Sequence, residues 1–63
     1  MKRFRLKVEA YDGKKFKKLF NREYSRLPSK QFNDLCEKFK NHEFKSLKIL
    51  LFDRGQLISS ERI

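Results

Sequence analysis

The chain is poor in the residues that build chemistry: no tryptophan, one cysteine, one histidine, one proline and two glycines among 63 residues. With Cys36 alone, an internal disulfide framework is excluded, and a reducing, cytoplasmic setting is expected. A zinc site ordinarily draws on four N, S or O ligands at short spacing, which one cysteine and one histidine do not supply. Gly13 and Gly55 stand far apart and each reads as a turn residue, so there is no glycine-rich phosphate loop. Neither a metal nor a cofactor is therefore expected. No apolar run approaches the roughly 18 residues of a membrane span. The charged start MKRFRLK leads into alternation rather than an apolar stretch, so a signal peptide is not expected.

Catalytic pairs are equally scarce. Cys36 falls in the middle of an apolar helical stripe, where a thiol serves as packing, and His42 six residues later points elsewhere. Asp34 and Glu37 lie on the solvated side of that helix among lysines, as surface charges rather than an acid–base pair. The chain is expected not to be an enzyme.

Acidic residues are also few: 17 Lys and Arg stand against 8 Asp and Glu, a net charge of +9. The imbalance is one-sided. Residues 1–31 hold eleven Lys/Arg against three acids, whereas residues 32–63 hold six against five. A footprint of this kind suits a polyanion.

What the chain does have is periodic apolar residues, including seven Phe and two Tyr. Ser46–Asp53, reading SLKILLFD, is apolar in both parities: Leu47, Ile49 and Leu51 on one face, Leu50 and Phe52 on the other. Such a strand belongs at the centre of a sheet. Phe4, Leu6, Val8 and Ala10 alternate with Arg3, Arg5, Lys7 and Glu9, which predicts a half-buried strand with a basic outer face. Asp12-Gly13 then signals a hairpin.

Residues 14–27 fit two patterns. As a helix they offer Phe16, Leu19, Phe20, Tyr24 and Leu27; as a strand they put Phe16, Phe20 and Tyr24 in one parity, shared with Lys18 and Arg22. Lys14 and Lys15 would oppose a helix dipole, and Asp-Gly favours a return strand, so a bulged strand over 16–26 is expected. Ser29, as N-cap, opens a predicted helix over 29–41 with Phe32, Leu35, Cys36 and Phe39 on its apolar face. Lys30–Asp34 and Asp34–Lys38 are spaced as i,i+4 pairs on its exposed side. Phe44 is expected to pack under the following connection, Asp53-Arg54-Gly55 to form a three-residue hairpin, and Gln56–Arg62 to close the sheet with Leu57 or Ile58 reaching the core.

These elements predict a single α+β domain over residues 1–63, of order β-β-α-β-β, with one antiparallel sheet and one amphipathic helix on one face. The helix covers one face only, leaving Leu50 and Phe52 as a partner surface or a homodimer interface. Function is expected to be nucleic-acid binding (DNA or RNA) through the basic hairpin, with Arg3, Arg5, Lys7, Lys14, Lys15, Lys17, Lys18 and Arg22 meeting phosphates. Joint charge reversal at Arg5 and Lys17 is expected to abolish it. An unpaired strand offers a second version, with bases stacked on Phe52, Tyr11 or Tyr24. The competing class is an adaptor, linker or inhibitor that docks on an acidic protein, of the kind phages and mobile elements encode. No zinc-finger, basic-zipper or homeodomain pattern is present.

Overall fold

The computed structural model describes residues 2–63. Its elements are β1 (Phe4–Tyr11), β2 (Phe16–Tyr24), α1 (Ser29–Lys38), β3 (Ser46–Asp53) and β4 (Gln56–Arg62). All pairings are antiparallel and the sheet order is β2-β1-β3-β4. Two strands are therefore central, β1 as well as β3, and they pair without interruption from Phe4–Asp53 to Tyr11–Ser46.

Strand parity explains the core. Phe4, Leu6, Val8 and Ala10 of β1 interleave with Leu47, Ile49 and Leu51 of β3 on the face that α1 covers, and Leu35 of the helix seals them. Leu6, Val8, Leu47 and Ile49 lose all contact with solvent. At about 1.5–3 kcal/mol for each fully buried side chain, this quartet is the main source of stability in so short a chain. Phe20, Tyr24, Phe32, Cys36, Phe39, Phe44 and Ile63 rim the cluster. Burial pushes the Cys36 thiol up from its ordinary pKa, as expected of a packing residue.

Several local features depart from the sequence pattern. The strand assignment for residues 16–26 holds as far as Tyr24, with one bulge. Val8 pairs with Phe20 and Glu9 with Lys18, so Leu19 is the extra residue. A second bulge falls in β4: Leu51 pairs with Ser59 and Phe52 with Leu57, leaving Ile58 over. Neither Leu57 nor Ile58 reaches the core; they remain 52% and 49% exposed. Ile63 packs there instead, its N–H donating to the Leu47 carbonyl at 3.0 Å.

The first turn spans four residues, Asp12 to Lys15, because Tyr11 pairs with Phe16. Asp12 Oδ1 accepts the N–H groups of Lys14 and Lys15 at 2.8 and 2.9 Å, an Asx turn that leaves only Gly13 left-handed. The second turn has two residues rather than three, since Asp53 pairs with Gln56. Both Arg54 (φ 52°) and Gly55 (φ 86°) are left-handed, the signature of a tight primed turn.

The helix begins one residue earlier in its capping than Ser29 suggested. Pro28 occupies the N-cap, its carbonyl accepting from Phe32 N–H at 2.9 Å, and no side chain caps the end. It stops at Lys38, short of residue 41, in a tight turn where Lys40 N–H donates to the Glu37 carbonyl. His42 then fixes the connection: its Nδ1 accepts the Phe44 N–H at 3.1 Å and its Nε2 meets the Ile63 carbonyl at 2.7 Å. That pattern places the ring proton on Nε2. The three ion pairs among the described residues join strands and turns rather than Lys30, Asp34 and Lys38 of the helix.

Candidate nucleic-acid interface

Residues directly opposed in an antiparallel pair share a face. The uncovered face of the sheet therefore carries Arg5, Lys7, Glu9 and Tyr11 from β1, Phe16, Lys18, Asn21 and Glu23 from β2, Lys48, Leu50 and Phe52 from β3, and Leu57, Ser60 and Arg62 from β4. The Leu19 bulge decides the rest of the hairpin. It turns Phe16 and Lys18 to the uncovered face, beside Tyr11 and Glu9, and turns Lys17 to the helix side with Arg22. The basic residues of the hairpin thus flank an edge strand on both sides instead of lining one face.

They also differ in how firmly they are held. Arg3 Nε and Nη2 donate to the two carboxylate oxygens of Asp53 at 2.6 and 2.9 Å. This pair raises the Arg3 pKa and holds the Asp53 carboxyl below its ordinary range. Arg5 donates to Asn21 Oδ1 at 2.8 Å and to Glu23 Oε1. Lys17 lies 3.7 Å from Asp12 Oδ2. Arg22 lies over the Phe20 ring at 5.7 Å. Lys14, Lys15, Lys18 and Arg22 make no ion pair among the described residues, and each is exposed. The eight basic side chains singled out in the sequence thus split: Arg3, Arg5 and Lys17 are engaged internally, Lys7 stands on the uncovered face, and the remaining four project from the β2 edge and its turn.

Leu50 and Phe52 do lie on the uncovered face, but both are half-buried. Lys7 Nζ sits 5.4 Å from the Phe52 ring centroid, and Leu57 lies opposite Phe52 in the ladder. Of the three aromatics considered for stacking, Tyr24 packs against the core, and Tyr11 is tied by its hydroxyl to the Gly13 carbonyl at 3.0 Å and by its ring to Phe16 at 4.8 Å. Tyr24 borders a small pocket of about 190 Å³ on the helix side, and Phe52 borders a larger space on the uncovered face.

That space, larger than the Tyr24 pocket, is a cleft of about 400 Å³ at the end of the sheet away from the Asp12–Lys15 turn, bordered by Lys2, Arg3, Arg5, Lys7, Phe52 and Arg54, with Glu23 its one acidic residue. The sequence pattern had pointed past Lys2, Arg54, Lys48 and Arg62. Lys48 could have been found by parity, since it shares its face with Leu50 and Phe52. Arg54 and Arg62 needed the β3–β4 register, which no local signal supplies. Among the described residues no group of His, Cys, Asp and Glu is placed to hold a metal ion, and no helix is long and apolar enough to cross a membrane. Comparison with protein families, curated proteins and solved structures finds no match.

Proposed function

We propose that the chain is a small non-catalytic nucleic-acid-binding module that lays its basic β2 edge and hairpin turn along a phosphate backbone. The observation that carries this is the edge itself. β2 is exposed along nearly its whole length, and Lys14, Lys15, Lys18 and Arg22 project from it with no acidic partner among the described residues. Nine strand residues span about 30 Å, over which a duplex presents roughly one phosphate charge per 1.7 Å, so several phosphates fall within reach. Because the cations point to both sides of the edge, the strand tracks a backbone rather than presenting a row of side chains to base edges. Binding is then mainly independent of sequence.

The test is fluorescence anisotropy with labelled duplex DNA, single-stranded DNA and RNA at about 50 and 200 mM salt. The triple variant Lys14→Glu, Lys15→Glu, Lys18→Glu is expected to lose most of its affinity, and neutralising the same three lysines to flatten the salt slope by about 3. Unchanged affinity in the triple variant removes the edge from the mechanism. Reversal at Arg5 is a poorer probe than the sequence suggested, since it sets a carboxylate at position 5 directly opposite Glu23 and removes a cross-strand contact as well as a charge.

A second function class, docking on an acidic protein, draws on Leu57, an exposed apolar residue beside Phe52. Leu57→Asp separates the two. It is expected to leave duplex binding at the β2 edge intact and to eliminate an apolar anchor.

A further inference from the structure

We infer that the cleft beside Phe52 holds a single unpaired nucleotide, its base on the Phe52 ring and its phosphate among Lys2, Lys7 and Arg54. This rests on the nucleic-acid-binding proposal and names the form of nucleic acid that one end of the sheet accepts.

Three observations converge. The first is a surplus of charge. Arg3 and Arg5 are spent on Asp53 and Glu23, but Lys2, Lys7 and Arg54 border the same cleft with no ion pair among the described residues. The second is the ring. Phe52 is half-buried, its strand held between β1 and β4 with Arg5 and Leu57 opposite it, and the Lys7 ammonium lies over its ring at 5.4 Å. An ammonium on a flexible stem is readily exchanged for a base, and it then lies within reach of that base's phosphate. The third is Arg54. It takes the left-handed conformation at φ 52°, in a primed turn where Gly, Asn or Asp is the unstrained choice. Its N–H donates to the Arg3 carbonyl at 2.9 Å, which anchors that strained backbone against the strand leading into β1. A costly backbone at that position is accounted for if the guanidinium is needed in the cleft.

A flat ring with unpaired cations around it fits a ligand that has both a π face and a phosphate. In a duplex the base faces are stacked on one another, so the cleft takes a strand end or an unpaired residue. From Phe4 to Tyr11 the ribbon runs about 24 Å, so a strand held here can continue towards the basic turn.

The experiment is an amide-shift titration of the whole chain by NMR, with AMP, adenosine and inorganic phosphate as separate probes. AMP is expected to shift the amides of Lys7, Phe52, Arg54 and Gly55 saturably, with adenosine and phosphate each about tenfold weaker or more, the scale of losing one stacked base or its charge. Phe52→Leu keeps the apolar contact and is expected to weaken AMP about tenfold while duplex binding at the β2 edge is unchanged. Arg54→Gly is expected to melt at a higher temperature yet bind AMP less well, so misfolding cannot produce the loss. Phosphate binding as tightly as AMP, shifts confined to residues 14–18, or no saturable shift overturns the assignment. So does an acidic peptide that occupies the cleft more tightly than AMP. Loss of the AMP response with duplex binding intact removes the cleft alone; failure of every oligonucleotide removes the edge proposal.

Discussion

Asp12 is the residue on which the hairpin turn depends. Its carboxylate accepts the Lys15 and Lys14 N–H groups, which hold its pKa below the ordinary range, with the Lys17 charge adding little. Asp53 is depressed in the same sense by its hydrogen bond and charge pairing with Arg3. Both carboxylates thus have folded-state pKa values below their unfolded ones. Their contribution is complete above the ordinary carboxylate range, near pH 4, and disappears as the pH falls through the depressed values. Thermal melts between about pH 6 and 2 are expected to show the parent losing stability in acid more steeply than an Asp12→Ala, Asp53→Ala variant. Equal slopes would mean that neither carboxylate is engaged in solution. Because both groups are open to solvent, added salt weakens the Arg3–Asp53 part. At Leu35, the one buried residue of the helix, truncation to alanine is expected to cost about 2–5 kcal/mol by urea denaturation. A cost under about half a kcal/mol would mean that the helix packs through another face.

The elements show where sequence patterns suffice and where they stop. The alternation of Phe4, Leu6, Val8 and Ala10 and the stripe of Phe32, Leu35, Cys36 and Phe39 are each set by one local period, so β1 and α1 were legible. Residues 16–24 were not, because they obey two periods in succession. Phe16, Phe20 and Tyr24 share a parity in the sequence, yet Phe20 and Tyr24 rim the core while Phe16 joins Tyr11 outside. Leu19, looped out, reconciles them and carries Lys18 away from the helix side. The candidate basic set was legible as composition, and its division into engaged and free members was not, since Asp53, Glu23 and Asn21 reach it only through strand register. Both outer strands carry a bulge and the inner pair carries none. Bulges on outer strands discourage sheets from joining edge to edge. On β2 the lysines add repulsion, but on β4 only Glu61 and Arg62 are charged. Deleting Ile58, which leaves every other pairing of β4 in register, is expected to raise self-association over the parent in sedimentation velocity. No change in sedimentation would assign the protection to side chains alone.

Across the whole molecule, shape and charge act together. The chain forms a slab of 36 × 21 × 15 Å carrying +9, with the helix on one broad face and most of the excess charge in the first half of the sequence. The uncovered face is patterned rather than uniformly basic, because Glu9 and Glu23 interrupt Arg5, Lys7 and Lys18. The positive charge left unpaired among the described residues is therefore concentrated on the β2 side, whereas β4 carries only the charges of Glu61 and Arg62.

The uninterrupted β1–β3 ladder joins residues 4–11 to residues 46–53, the two segments that hold nearly all of the core. The β1–β2 ribbon can close within microseconds of its residues becoming available, and a short helix sooner still. Phe20, Tyr24 and Leu35 cover only part of the β1 apolar face until β3 supplies Leu47, Ile49 and Leu51. Folding must therefore wait on a closure spanning some forty residues, and only then does every element become stable at once. During synthesis the Leu6 and Val8 face stays wet until the Leu47–Leu51 segment leaves the ribosome. Until then the net charge of +9, spread mostly over the first half of the chain, is what opposes contact between such exposed apolar faces.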